Sequence, residues 1–348
     1  MAAQTPRAER LRDHTRVLAH DSMEGRGTAT AGEVRAGLYI ARQLRDLGLE
    51  PLKAGGVGEP AVTDYLLAVP LMAHRLDTGA AMLRVRSAAG EDTLRPPAFY
   101  HPGGSTSALR DFAGRLLVAG PTPGAVEALA GHPDLTGRVV VLGPPWDGLE
   151  DVLAALRDRG AEGVIEAVPT EFYHRLRVVR GPIRYSLAEE AGQPGPPAIP
   201  EVVIGPGAIA ALGLQDEILP PGSDGAGHAE ASPLDARVEV RAGMSAEPVA
   251  GHNVAAVLRA GPSPAEGAVV LVAHYDHVGF GEPAGLDSIW NGFADNAAGT
   301  AVVLEAARAL AAEPPDRTVV FLLTTGEEQG LLGAEHFVRQ PPATLPGM

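Results

Sequence analysis

The 348-residue chain contains no cysteine, and aromatic residues make up only 4% of it. The absence of cysteine excludes disulfide bonds, thiolate metal sites and a cysteine nucleophile. No run of apolar residues reaches the roughly 18 that a membrane-spanning helix needs. The N-terminal sequence MAAQTPRAERLRDHTR is polar and charged, and it lacks the apolar core of a signal peptide. We therefore expect no membrane span, and any chemistry has to come from oxygen and nitrogen side chains.

Positive charge is also scarce. The chain has 28 Lys and Arg against 43 Asp and Glu, which gives a formal net charge of −15. Because affinity for nucleic acid rests on clustered cationic side chains, this balance argues against a nucleic-acid-binding protein. It argues equally against docking on an anionic membrane surface. In contrast, glycine and proline are abundant, with 43 and 31 residues, and they indicate many turns between short elements.

The helix and strand patterns divide the chain into three parts. The N-terminal part, residues 1–102, begins with two predicted helices, and the T-x-x-E pattern of Thr30 and Glu33 predicts a capping box at the start of the second. Residues 103–230 have the pattern of an inserted module of short strands and helices. Residues 231–348 form the part that carries the candidate site.

The C-terminal part contains a β-α-β pattern. The segments Ala268–Ala273 (AVVLVA) and Thr318–Leu323 (TVVFLL) are continuous apolar runs, as expected for strands buried on both faces of a sheet. Between them, the apolar periodicity of Thr300–Ala312 predicts a helix. A crossover of this kind makes its two strands parallel. We therefore predict an α/β fold.

Polar side chains with metal-binding capacity lie at the ends of these elements. His274 follows the first apolar run directly, and Glu327 and Glu328 lie just past the end of the second. Asp295 lies in the glycine-bounded segment NGFADNAAG, just ahead of the predicted helix. Ligand sites in open α/β sheets form at the carboxyl ends of the strands. We therefore expect these four side chains to meet on one rim.

The residue types on this rim favour metal-assisted hydrolysis. An imidazole together with carboxylates suits Zn²⁺, and a bridging carboxylate lets two ions lie about 3.5–4 Å apart. Of two adjacent glutamates, one can bind a metal while the other acts as a general base. Asp276, two residues after His274, is placed to accept the other imidazole N–H. The pattern therefore predicts a metallohydrolase.

With these motifs the chain resembles the co-catalytic di-zinc aminopeptidase family, specifically its members with an inserted protease-associated (PA) domain. The resemblance rests on SMEGRGTATAGE, GHNVAAVLRA and the site motifs AHYDHVGF, NGFADNAAG and TTGEEQGLLG. It implies a zinc-exopeptidase-like, mixed but largely parallel sheet flanked by helices, with an inserted α/β PA-like domain. By matching, His274 would bind one zinc ion, Glu328 the other, and Asp295 would bridge both. Glu327 would be the general base, and Asp276 the partner of His274.

The chain also departs from the family pattern. Ala294 precedes Asp295 where the family often has another acid, and Ala298 stands where serine is common. The family supplies a further Asp ligand in an Asn-x-Asp-Met strand after the glutamates and a final His much later, whereas only ATLPGM follows Pro342. We therefore expect the C-terminal part of the peptidase domain to be missing, and we expect exposed apolar edges and poor solubility.

The resemblance implies a zinc-dependent aminopeptidase that removes N-terminal residues from peptides with a water activated by two zinc ions. The alternative is a catalytically incompetent fragment or a peptidase-like binding module that lacks the last Asp and His ligands. A third possibility keeps the di-zinc fold but carries out another amide hydrolysis or an amine cyclisation. Family members with a PA domain are commonly exported, so we expect an extracellular or periplasmic location. The sequence does not specify an oligomeric state.

The remaining histidines and one glycine motif are considered separately from this chemistry. We expect His252 and His336 to be structural or solvent-exposed. For His277 we expect a structural or solvated residue, and the alternative is a residue that lines the cleft. The segment Gly205–Ala210 has the G-x-G-x-x-A spacing of a dinucleotide-binding loop. Pro206 occupies a variable position in it and the surrounding β-α-β context is poor, so we expect no bound nucleotide.

Overall fold

A computed structural model of the chain describes residues 8–52, 59–88, 90–96, 98–100, 110–121, 124–144, 147–168, 183–190, 199–214, 231–261, 266–284, 287–313, 315–343 and 345. Internal contacts divide the chain into two compact units. The first unit comprises Met1–Ala73, Tyr185–Ala191 and Glu247–Met348, and the second comprises His74–Arg184 and Gly192–Ala246.

The helices are mostly short, as the glycine and proline content predicts. The α-helices are α1 Ala8–Leu18, α2 Ala31–Asp46, α3 Ala125–Ala128, α4 Leu149–Asp158, α5 Pro206–Ala211, α6 Ala298–Ala312 and α7 Leu332–Arg339. Tighter 3₁₀ turns cover Asp21–Arg26, Val62–Tyr65 and Ala188–Glu190, and a π-helical turn covers Phe293–Ala297. Within the described ranges, every helix is too short or too polar to cross a membrane.

The strands build two larger sheets and one hairpin among the described residues. The first sheet contains β1 Glu50–Pro51, β2 Leu66–Leu76, β9 Ile183–Leu187, β12 Met244–Leu258, β13 Ala268–His274 and β16 Thr318–Thr324. The second sheet contains β3 Met82–Ser87, β4 Gly90–Leu94, β5 Phe99–Tyr100, β6 Phe112–Pro121, β7 Arg138–Gly143, β8 Gly163–Ala167, β10 Glu201–Ile204 and β11 Ser232–Arg241. The hairpin pairs β14 Gly279–Ala284 with β15 Asp287–Trp290.

The predicted β-α-β unit is present in the first sheet, whose strand order is β13-β16-β12-β2-β9. Strands β13 and β16 are parallel, with His274 opposite Thr324 at their carboxyl ends. Strand β12 pairs with β16 in the antiparallel sense, and β1 pairs with β12 likewise. The sheet is therefore mixed, and the parallel pair β13 and β16 carries the candidate site.

Strand β16 has its side chains buried on both faces of the sheet. Phe321, Val319 and Leu323 pack into one apolar cluster with the helices α1, α2 and α6. Val320 and Leu322 face the opposite way and pack into another cluster with α7. Alternate residues of a strand point to opposite faces, so a strand covered on both sides has the continuous apolar sequence that predicted it.

Strand β13 does not have the double burial that its equally apolar sequence predicts. Val269, Val270 and Val272 are 42%, 38% and 56% exposed. β13 is the terminal strand in the order of the described sheet, and the apolar clusters that cover the two faces of β16 include none of these three valines. The apolar sequence of a strand shows that its side chains can be buried. It does not show whether other elements pack on both faces of that strand. The expectation of an exposed apolar edge is confirmed here, and poor solubility stays a prediction.

Helix α2 begins as predicted, with a difference in its second contact. The Thr30 hydroxyl accepts a hydrogen bond from the Glu33 backbone N–H (3.4 Å), as an N-cap does. The Glu33 carboxylate accepts from the Ala29 N–H at 2.6 Å and not from that of Thr30. The Glu33 carboxylate also contacts the C-terminal part of the chain, where it accepts a hydrogen bond from the His252 N–H.

The second unit starts earlier and ends later than the predicted module of residues 103–230. Strand β3 pairs with β11 in its sheet, with Val85 opposite Val238, and both belong to one apolar cluster. The predicted boundaries follow local glycine and proline, whereas the unit is defined by pairing between strands that are distant in sequence. Its strands β6, β7, β8 and β10 are parallel neighbours. A relationship to PA domains stays a prediction.

Candidate metal centre

The candidate site lies at the carboxyl ends of the parallel strands β13 and β16. His274 is the last residue of β13 and Thr324 the last of β16, and they are partners in the strand register. The Tyr275 N–H donates to the Thr324 carbonyl (3.0 Å), so the two chains leave the sheet side by side. Glu327 and Glu328 follow Thr324 in the same loop. The topology therefore brings the HYDH and GEE segments together, as the β-α-β pattern predicts.

Asp295 reaches this edge from the π-helical turn that precedes α6. Its backbone is not helical (φ −122°, ψ 94°), and its side chain is 66% exposed. The Asp295 Oδ1 atom lies 3.3 Å from His274 Nε2. The Thr300 hydroxyl, near the start of α6, donates to the His274 carbonyl (3.0 Å) and ties the helix to the end of β13.

His274 is held between Asp276 and the open side of the cluster. Its Nδ1 atom lies 3.2 Å from the Asp276 carbonyl oxygen and 3.7 Å from the Asp276 carboxylate. Its Nε2 atom faces Asp295 and also Glu327, whose Oε2 is 3.8 Å away. Burial lowers the pKa of His274, but the hydrogen bonds and charge of Asp276 and the charge of Glu327 outweigh it and raise that pKa to about 9. The surroundings of the ring therefore favour a positive charge.

Asp276 is fully buried beneath the cluster, and its carboxylate is held from two sides. The Thr28 hydroxyl donates to Oδ2 (3.0 Å), and the Glu327 N–H lies 3.3 Å from Oδ1. The predicted contact of Asp276 with the His274 ring is thus present, and the backbone carbonyl makes the shorter part of it. The carboxylate also links the loop that follows β13 to the loop that follows β16.

His277 belongs to the cluster, whereas the sequence led us to expect a structural or solvated residue. Its Nδ1 atom lies 2.6 Å from Glu328 Oε1, and both side chains are 12% exposed. Ligand atoms of His277, Asp295 and Glu328 all lie within 4.8 Å of one another. The close spacing of His274 and His277 in the HYDH segment is the sequence signal that could have predicted a second histidine in the cluster. The turn that brings His277 back, through a bridge to Gly27, depends on residues far away in sequence.

Glu327 lies near His274, with its Oε2 atom 3.8 Å from the Nε2 atom of that ring. Its side chain is 35% exposed. Burial raises the pKa of Glu327, the His274 charge acts against that rise, and the neighbouring carboxylates add to it. Its carboxylate therefore binds a proton more readily than an ordinary surface glutamate.

The ligand atoms of His277, Asp295 and Glu328 form one group that is close enough together to hold a metal ion. His274 adjoins this group, because its Nε2 atom lies 3.3 Å from Asp295 Oδ1 and 3.8 Å from Glu327 Oε2. Imidazole nitrogens and carboxylate oxygens are the donors that zinc binds in hydrolytic sites, so this donor set fits zinc. Asp295 is close to His274 as well as to His277 and Glu328, and a two-ion centre needs a carboxylate that can reach both ions.

The other two histidines named from the sequence lie away from this cluster. His252 lies behind it, where its backbone carbonyl accepts a hydrogen bond from the Tyr275 hydroxyl (2.7 Å). His336 lies on α7, and its Nδ1 is 3.8 Å from Glu189. Neither is in the described metal-binding group.

Known proteins that are similar to this chain include zinc peptidases. Residues 253–346 match the model of peptidase family M28. Aminopeptidase YwaD of Bacillus subtilis (strain 168) is 41% identical over 70 residues, which is 20% of this chain and 13% of the relative. A probable zinc metalloprotease of Leptosphaeria maculans is 39% identical over 87 residues, or 25% of this chain and 20% of the relative. The predicted resemblance to zinc aminopeptidases is confirmed, whereas the inserted PA domain and the missing C-terminal part stay predictions.

Solved structures show the same fold. The aminopeptidase from Aneurinibacillus sp. strain AM-1 superposes with a TM-score of 0.54 at 17% identity and covers 96% of this chain. BSAP, a zinc aminopeptidase from Bacillus subtilis, gives a TM-score of 0.54 at 18% identity and covers 97%. The chain spans 66% of the length of each of these two proteins. The prediction of a mixed α/β, zinc-exopeptidase-like fold is confirmed.

Proposed function

We propose that the chain is a zinc-dependent metallopeptidase that acts as an aminopeptidase on peptide substrates. The observation that carries the proposal is the group of ligand atoms from His277, Asp295 and Glu328, with His274 Nε2 only 3.3 Å from the Asp295 carboxylate. It is supported by the M28 match, which begins at residue 253 and includes all four of these residues.

Two zinc ions are the proposed cofactor, with His274 and Glu328 as ligands of different ions and Asp295 between them. The geometry adds His277 on the Glu328 side. When bound, the ions would polarise the scissile carbonyl and lower the pKa of a water molecule. Asp276 would keep the His274 ring oriented, because its carbonyl and carboxylate both face Nδ1 and leave Nε2 directed at the cluster.

Glu327 is the proposed general base. Its carboxylate lies beside the cluster, and the raised pKa of Glu327 suits a group that takes a proton from water and returns it to the leaving amine. In this proposal the proton from water resides on the Glu327 carboxylate, and its transfer to the amine nitrogen completes cleavage of the peptide bond. Glu328 is instead held by His277, whose Nδ1 atom lies 2.6 Å from its carboxylate.

The substitution Glu327→Gln tests this role. We expect it to abolish hydrolysis of aminoacyl-anilides while the zinc content, measured by atomic emission, stays that of the unsubstituted protein. The matched control is Glu266→Gln, which alters an exposed glutamate of the same unit and should change neither quantity. Hydrolysis retained by the Glu327→Gln variant would refute the role of Glu327. An unsubstituted protein that binds zinc but cleaves no peptide would instead favour a binding module.

A further inference from the structure

Arg26 has an unusual environment for an arginine. Its side chain is 0% exposed and contacts backbone carbonyl oxygens through four hydrogen bonds. Nη1 donates to Leu18 (2.6 Å) and Asn291 (2.7 Å), Nη2 donates to Gly292 (2.8 Å), and Nε donates to Tyr275 (2.7 Å). The guanidinium is planar and rigid, so it holds these carbonyls in a fixed relative arrangement, which the flexible ammonium of lysine could not do.

Arg26 makes one side-chain contact and one backbone contact with the chain that leaves β13. Tyr275, whose carbonyl accepts from Nε, lies between His274 and Asp276. The carbonyl of Arg26 itself accepts from the His277 N–H at 3.1 Å. Arg26 therefore holds the backbone on both sides of Asp276, in the segment that supplies both imidazoles of the cluster.

The other side of the guanidinium holds the loop that supplies Asp295. The Asn291 and Gly292 carbonyls that it binds lie just ahead of the π-helical turn. Gly292 has φ +57°, and a Cβ there would lie 2.5 Å from the His277 ring and 2.6 Å from Arg26 Nη2. Arg26 thus connects the two segments that carry the proposed ligands. The packing around it leaves no room for a side chain at Gly292.

An unusual backbone conformation places the Arg26 side chain between these two segments. Glu24, Gly25 and Arg26 have consecutive left-handed conformations, with φ 50°, 63° and 52°. Such conformations are uncommon for residues other than glycine, and they persist where the surrounding structure holds them. Gly25 packs so tightly that a Cβ would lie 2.5 Å from the Trp290 carbonyl oxygen. The turn is therefore seated against the strand that leads into the Asp295 loop.

The positive charge of Arg26, like its planar shape, is compatible with this buried position. Burial lowers the pKa of Arg26 to about 10, against the opposing effect of Asp276, Asp295 and Glu328, so the group stays protonated at neutral pH. A buried cation needs compensating charge, and here the carboxylates of the cluster supply it. The same cation reduces the repulsion among those carboxylates.

We propose that Arg26 is a positioning residue that holds the two ligand-bearing segments of the metal centre in their binding geometry before a metal ion is bound. The inference rests on the proposed zinc site, and it assigns to Arg26 no contact with substrate. Its consequence is a contribution of Arg26 to metal affinity that is separate from its contribution to folding.

The test compares Arg26→Met and Arg26→Lys with the control Arg10→Met. Arg10 belongs to the same unit, and its Nε lies 2.9 Å from Glu305 in the contact between α1 and α6. We expect the dissociation constant for zinc, measured by competition with a chromogenic chelator, to rise about 10- to 100-fold in both Arg26 variants. We expect the visible absorption of bound Co²⁺ to change in them as well. Arg10→Met should lower the melting temperature and leave the zinc affinity and the cobalt spectrum unchanged.

Zinc affinity and a cobalt spectrum equal to those of the unsubstituted protein in a folded Arg26→Met variant would overturn the inference. Where neither variant folds, the unsubstituted protein decides by NMR. Slow exchange of the Arg26 Nε–H signal without zinc supports the inference, and exchange that becomes slow only after zinc is added overturns it. An unsubstituted protein that binds no zinc refutes the proposed function, and the NMR measurement remains informative about Arg26.

Discussion

Glu33 should make the stability of the first unit depend on pH in an unusual direction. Its side chain is 0% exposed, and its carboxylate accepts hydrogen bonds from the Ala29 N–H (2.6 Å) and the His252 N–H (3.0 Å). Burial raises the pKa of Glu33 from 4.5 to about 7, although these donors favour the ionised form. The folded protein therefore keeps a proton on Glu33 at pH values where the unfolded chain has lost it.

The sign and size of the effect follow from this difference in pKa. Between pH 4.5 and 7 the folded state binds more protons at Glu33 than the unfolded state does, so the free energy of unfolding falls as the pH rises. Each pKa unit corresponds to about 1.4 kcal/mol, so the full loss is on the order of 3 kcal/mol. The stabilisation is complete below pH 4.5 and is lost as the pH passes 7.

The variant Glu33→Gln removes the titration. Its unfolding free energy should lack the decline of about 3 kcal/mol, although its amide NH₂ must face an N–H donor and should cost about 1–3 kcal/mol at pH 5. The assay is urea unfolding at pH 5, 6, 7 and 8. Trp290 fluorescence in a Trp146→Phe background reports on the first unit. Glu266→Gln is the control and should keep the decline. An equal decline in the Glu33→Gln variant would refute the reasoning.

Three further substitutions probe the same unit. Tyr275→Phe should lower the free energy of unfolding by about 1–3 kcal/mol in urea, because it removes the 2.7 Å hydrogen bond to the buried His252 carbonyl. Gly292→Ala should abolish zinc binding in the chelator assay, because its Cβ would lie 2.3 Å from a carbonyl oxygen of the same loop. Gly261→Ala is the control, with no atom within 4 Å of its added Cβ, and it should bind zinc normally. Phe321→Ala should cost about 3–5 kcal/mol in the same urea experiment, because Phe321 is 0% exposed in β16. A loss below about 1 kcal/mol would contradict its place in the core.

Prediction from the sequence succeeds where local pattern and topology suffice. The apolar runs of β13 and β16, with a helix between them, predict two parallel strands. That arrangement places His274 and the two glutamates at one edge of the sheet. Prediction fails where the burial of a strand depends on which other elements pack against it. The valines of β13 have the same hydropathy as the side chains of β16, yet 56% of Val272 is exposed.

The residue types that could bind zinc and the β-α-β unit that orders them were determined by the sequence alone, because both depend on spacing within a short stretch of chain. Only the tertiary structure showed that His277 joins Glu328, and that Arg26 holds Tyr275, a residue 249 positions away. The Arg26 contact depends on a left-handed turn that is held in place by the surrounding packing and not by local preference. The shape of the metal centre is therefore decided by long-range contacts, which leave no periodic signal in the sequence.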